Sequence, residues 1–91
     1  MEFYPMIQLS DSRLLELKNS IPIRIGERVR YFRELNNLTQ SQLGALVGSD
    51  RQYIYKIEKG KVTPNVVTVS VLAIALEISL TEFFDIENSG Q

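Results

Sequence analysis

LTQSQLGALVGSDRQYIYKIEKGKVTPN, residues 38–65, decides how this chain folds. Thr39 followed by Gln42 has the spacing of a capping box, in which the threonine hydroxyl accepts the backbone N–H three residues on and the glutamine reaches back. A helix starts there, turns Leu43, Leu46 and Val47 inward, and stops after about two turns at Gly48. Ser49 or Asp50 then caps a second helix, which runs to about Lys59 and ends at Gly60. Pro64 blocks any continuation. The stretch reads as a short helix, a glycine turn and another helix.

Upstream, Ile25, Val29 and Phe32 fall at i, i+4 and i+7, one face of a helix whose other side carries Arg24, Glu27, Arg28 and Arg30. Asn36 and Asn37 end it, asparagine being tolerant of the left-handed conformation. Ser10 or Asp11 is expected to cap a separate short helix with Leu14, Leu15 and Leu17, closing near Asn19 and Ser20 because the residue before Pro22 disfavours helix. Residues 1–9 are apolar and irregular around Pro5. Downstream, Asn65 suits the N-cap of a helix through about Leu76, and Ser79 with Glu82 forms a second capping box opening a last short helix to Phe84. The expected organisation is all-α, with residues 1–21 as an N-terminal extension, 22–85 as the domain and 86–91 as a polar tail.

Ninety-one residues support one small domain with a modest core. Without cysteine there is no disulfide framework and no thiolate metal site, and without histidine the commonest general base and metal ligand are both absent. No carboxylate pair, nucleophile–base pair or glycine-rich phosphate loop stands out, so neither an enzyme, a metal site nor a cofactor is expected. No apolar run approaches the roughly 20 residues that span a bilayer, and the chain reads as soluble and cytoplasmic. Net charge is -1 but unevenly spread. Residues 22–61 hold Arg24, Arg28, Arg30, Arg33, Arg51, Lys56, Lys59 and Lys61 against Glu27, Glu34, Asp50 and Glu58, while residues 62–91 hold Glu77, Glu82, Asp85 and Glu87 with no cation. Such asymmetry marks the basic middle as where an anion could dock.

On a helical wheel, Ile54 and Ile57 share one side of the second helix; Gln52, Tyr55, Lys56 and Lys59 occupy the other, with Arg51 on its flank. Arginine and glutamine match the guanine and adenine edges in the major groove of DNA, and lysines neutralise phosphates. A two-turn helix, a turn at Gly48 and this helix follow one another in the order of a helix-turn-helix. The stretch resembles the Cro/repressor-type, or XRE-like, helix-turn-helix family over residues 25–84, through the Leu-Thr-Gln opening, Gly48, the Ile-x-x-Ile-Glu-x-Gly run and the proline after it.

That resemblance implies a five-helix lambda-repressor-like domain preceded by the extension and its extra short helix. It also implies a transcription regulator, expected to be a homodimeric repressor that reads a palindromic operator in double-stranded DNA through residues 50–59. Arg51, Gln52, Tyr55 and Lys56 match the base-reading positions. Gln40, Tyr53, Lys59 and Lys61 match phosphate-contacting ones. Arg33 and Glu58 match a structural ion pair between the first and third helices of the family core. Gly44 departs from the usual alanine, and Ser49 from an aliphatic residue that helps close the turn.

The fourth helix of that core raises a separate question. Val66, Val69, Leu72, Ala73 and Leu76 suit its core face, but Val67, Val71 and Ile74 add a second apolar stripe. Either residues 3–17 fold back over that stripe, or two chains pair through it, or both. A protein-interaction module, such as an antitoxin or coactivator with a protein partner on this helix, is the alternative reading.

Overall fold

The computed structural model describes residues 8–85. Among them are five helices: α1 Asp11–Leu35, α2 Gln40–Leu46, α3 Arg51–Glu58, α4 Val66–Ala75 and α5 Leu80–Phe83. A side chain caps every helix start. Ser10 accepts the backbone N–H of Arg13, Asp50 that of Tyr53 and Asn65 that of Thr68, while Thr39/Gln42 and Ser79/Glu82 form reciprocal boxes. Each cap contributes about 0.5–2 kcal/mol, which matters most for helices as short as α2 and α5.

The ends of α1 to α4 follow one pattern as well. Asn37, Gly48, Gly60 and Glu77 all have positive φ, and in each case the next residue donates its N–H back across the last turn: Leu38 to Arg33, Ser49 to Gly44, Lys61 to Lys56 and Ile78 to Ala73. These are Schellman closures, which reverse the chain within two residues and satisfy the last carbonyls.

The separate short helix expected before Pro22 does not exist. α1 is continuous over 25 residues with Pro22 inside it. An interior proline removes one backbone hydrogen bond and costs about 3 kcal/mol. The apolar stripe explains why the helix survives. Leu14, Leu17, Ile21, Ile25, Val29 and Phe32 keep a mean spacing of about 3.6 residues across the proline, so both halves present one face in phase. Ile21 packs against the core formed by Ile25, Val29, Phe32, Leu43, Ile54, Ile57, Val69, Leu72, Leu76 and Phe83. The first half of α1 runs on past this core, and the molecule measures 48 × 26 × 26 Å.

Two residues assigned to the core from sequence point outward. Leu46, in the last turn of α2, is 59% exposed, and Val66, the first residue of α4, is 72% exposed. Val69, Leu72, Ala73 and Leu76 carry the inner face of α4 without it. Close backbone approach sets the helix crossings. A Cβ on Gly26 would strike the carbonyl oxygen of Ile57 and lie 2.8 Å from that of Glu58, and one on Gly44 would lie 2.8 Å from the carbonyl carbon of Asp50. Glycine at position 44 thus brings α2 onto the start of α3, a gain set against its weak helix propensity.

Arg28 and Asn36 tie the far end together. The Arg28 guanidinium donates to the carbonyls of Glu82 and Phe83 at the end of α5 and lies over the Phe32 ring, 4.8 Å from its centroid. Asn36 donates to the carbonyls of Phe32 (2.8 Å) and Leu76 (3.3 Å).

The expectation that the N-terminal segment covers the second stripe of α4 does not hold for the described part of it. Leu14 and Leu17 lie beside Thr63 instead, and Val67 (67%), Val71 and Ile74 (76%) remain exposed. Residues 11–17 belong to the continuous helix α1, whose in-phase stripe packs on the core through Ile21. Residues 3–7 of that expectation lie outside the described residues, as do 86–91 of the polar tail.

Candidate nucleic-acid interface

α3 is held from below and from one end. Ile54 and Ile57 are fully buried, while Arg51, Gln52, Lys56 and Lys59 are exposed on the other side. At its C-terminal end Glu58 accepts from Arg33 through both carboxylate oxygens, Nε at 2.6 Å and Nη2 at 3.0 Å, and from Gln40 Nε2 at 3.0 Å. Arg33 spends its remaining arm on the Leu38 carbonyl at 2.8 Å. With both side chains nearly closed to solvent, this bidentate pair is of the strong, geometrically specific kind. The hydrogen bond to Glu58 is the main cause that raises the Arg33 pKa, and the nearby Glu34 adds to it, against the opposing effect of burial. Arg33 is a charged strut joining α1, the α1–α2 loop and α3.

Gln40 therefore buttresses α3 through Glu58. Its half-buried side chain also lines a recess of about 280 Å³ with Arg30, Arg33, Arg51, Tyr55, Glu58 and Lys59. The carboxylate in that recess is already engaged by Arg33 and Gln40, so Arg30, Arg51 and Lys59 leave its rim cationic. Arg30 contacts Glu34 at 3.1 Å, but both side chains are more than half exposed, a geometry worth little in water. The recess can accept a negatively charged group.

Tyr55 stands elsewhere than its position on the wheel suggests. It is half-buried on the flank facing the recess, and Lys59 Nζ and Lys61 Nζ lie 5.9 and 5.5 Å from its ring centroid. The ring acts as a platform that gathers two lysines. Tyr53, also half-buried, lies on the other flank, beside the Gly48 turn and the Val67 and Val71 edge of α4. Arg30 was missed from the sequence, although its place three residues before Arg33 puts the two on one helix face. Among the described residues no group of three or more acidic, histidine or cysteine side chains could hold a metal ion, and no helix is long and apolar enough to cross a membrane.

A buried strut beneath a helix with an exposed face of cations and one amide, preceded by a glycine-closed two-turn helix, is the arrangement of a helix-turn-helix protein. The chain belongs to the Helix-turn-helix family, whose model matches residues 29–83. Over 71 residues it is 37% identical to the control protein C.MunI of a Mycoplasma species, covering 76% of this chain and 96% of that one. It is 28% identical over 80 residues to the uncharacterized HTH-type transcriptional regulator y4aM of Sinorhizobium fredii, covering 88% of this chain but only 56% of that relative's length. Among solved structures, the restriction-modification controller protein C.AhdI of Aeromonas hydrophila is similar, with a TM-score of 0.68 and 34% identity, covering 71% of this chain and 98% of that one.

Proposed function

We propose that this chain is a sequence-specific transcription regulator of the cytoplasm, a homodimeric repressor that reads a palindromic operator with α3. The observation that carries the reading is the exposed Arg51, Gln52 and Lys56 face, backed by buried Ile54 and Ile57 and braced by the Arg33–Glu58–Gln40 network. Such an anchored helix presents its donors with little freedom to lose on docking into a major groove. Arg51 and Gln52 discriminate bases, with Lys56 and the edge of Tyr55 beside them. Gln40, Tyr53, Lys59 and Lys61, joined by Arg30 at the rim of the recess, hold phosphates.

Dimerisation through Val67, Val71 and Ile74 would cover the apolar stripe and present two copies of α3 to half-sites about 34 Å apart. Domain organisation follows the same reading: residues 22–85 bind DNA, with 1–21 as an extension and 86–91 as a tail. The control and controller proteins among the relatives support a regulatory role. The exposed stripe on α4 favours one second reading, an antitoxin or coactivator whose protein partner docks there.

A fluorescence titration against the duplex upstream of the chain's own gene and against a scrambled duplex, at low and near-physiological salt, tests this function. Preference for the native duplex that persists at the higher salt is the expected result. Weak, unselective binding lost with salt would transfer the assignment to the protein-interaction reading.

A further inference from the structure

Tyr55 is singled out by what converges on it. Lys59 Nζ lies 5.9 Å and Lys61 Nζ 5.5 Å from the centroid of its ring, although the two lysines leave the backbone on either side of a chain reversal. Lys59, the C-cap of α3, follows Tyr55 by one turn on the same helix face. Lys61 reaches the ring only because the chain reverses at Gly60. That reversal is closely held: Gly60 has a φ of 71°, a Cβ on it would lie 2.8 Å from Ile23 Cγ1, and the Lys61 N–H donates to the Lys56 carbonyl at 2.9 Å. Both lysine stems start from fixed backbone, and one ring draws their heads together against mutual repulsion. The ring is half-buried, so it is better placed to hold the lysines than to follow a base.

We propose that Tyr55 is a positioning residue, whose ring sets Lys59 and Lys61 as a ready-made clamp on a backbone phosphate of DNA. The proposal rests on the DNA-binding reading of α3 and assigns Tyr55 a part in it that a base-reading position does not imply. A free lysine gives up side-chain freedom when it settles on a phosphate, and a pair already gathered has less to give up. Tyr55 then adds affinity to every sequence alike, acting through two other side chains. Its contribution separates from that of Arg51 and Gln52, which depends on the base they meet.

A double-mutant cycle on DNA affinity tests this, using Tyr55→Leu, Tyr55→Phe and the pair Lys59→Ala with Lys61→Ala, each corrected for its folded fraction by urea unfolding. Tyr55→Leu should weaken binding about tenfold on the native and scrambled duplexes alike, whereas Tyr55→Phe, which keeps the ring face, should cost less than about twofold. In the chain that already lacks both lysines, Tyr55→Leu should also cost less than about twofold. An undiminished loss there would mean that Tyr55 touches DNA itself, and would overturn the proposal. So would a loss confined to one base position, which would return Tyr55 to the readers. NMR of the DNA-free chain supplies a readout that a packing role would not move. Ring-current shifts of the Lys59 and Lys61 Hε protons should be present in the unaltered chain and in Tyr55→Phe and vanish in Tyr55→Leu; their absence from the unaltered chain would equally overturn the proposal. Equal affinity of the unaltered chain for both duplexes would strike the operator reading and leave the clamp standing, since phosphates are common to both.

Discussion

On the proposed function, individual side chains on and around α3 divide into readers, phosphate holders and supports, and each kind should fail differently. Gln52→Ala should lose about 1–3 kcal/mol of discrimination at one base position per half-site, measured as competition between operators differing at single bases. Lys61→Ala and Arg30→Ala should instead weaken every sequence alike, each lowering the slope of log affinity against log salt by about 1. Equal losses on all sequences for Gln52→Ala would remove it from the readers. Arg33→Ala belongs to the supports. Leaving the buried Glu58 carboxylate with Gln40 alone should destabilise the fold by about 3–5 kcal/mol in urea unfolding, and any lost DNA binding should return in proportion to the folded fraction. Because its pKa is raised, the stabilisation from charged Arg33 is fully present below its unfolded value and is lost only as pH climbs through the higher folded value, so Arg33 itself adds no pH dependence near neutrality. The ion pair and the outward cations were legible in the sequence, because family register and helical period both place them. Arg30 and the flank position of Tyr55 were not, since a wheel gives an angle around one helix and says nothing of the neighbouring helix that walls the recess.

Among the elements, starts were easier to read than continuities. Five polar caps announce five helix beginnings, and Asn37, Gly48 and Gly60 announce three of the four closures by residue type. Glu77 gives no such signal, although it holds the same left-handed position at φ 61°. A side chain there costs about 1 kcal/mol relative to glycine, so Glu77→Gly should raise stability by about that amount in chemical denaturation; no gain would mean that the α4–α5 turn does not bear the strain. Gly26→Ala should do the opposite. Its methyl has no room against the end of α3, and a loss of about 1–3 kcal/mol is expected from the same measurement. Pro22 misled because a local rule was weighed alone, whereas the stripe from Leu14 to Phe32 keeps one phase on both sides of it. A continuous helix was therefore written in the spacing of apolar residues, and the proline is a tolerated defect within it.

For the molecule as a whole, the apolar stripe and the charge asymmetry act on different faces. Ile74→Asp should leave the thermal unfolding midpoint of the monomer nearly unchanged while shifting the sedimentation coefficient to that of a single chain and reducing operator affinity; an unchanged sedimentation coefficient would remove α4 from the dimer interface. The net charge of -1 conceals that residues 22–61 are cationic, so steering toward DNA should be steep in salt even for a chain acidic overall. Sequence alone could not say what covers the α4 stripe, because covering is a property of two surfaces and only one of them is encoded locally. The tyrosines have a spectroscopic consequence. The chain has no tryptophan and four tyrosines, two of which, Tyr53 and Tyr55, lie on the flanks of α3, one of them beneath a pair of lysines. On the proposed function, ultraviolet emission from the unmodified protein should therefore change when DNA occupies α3, without any attached dye.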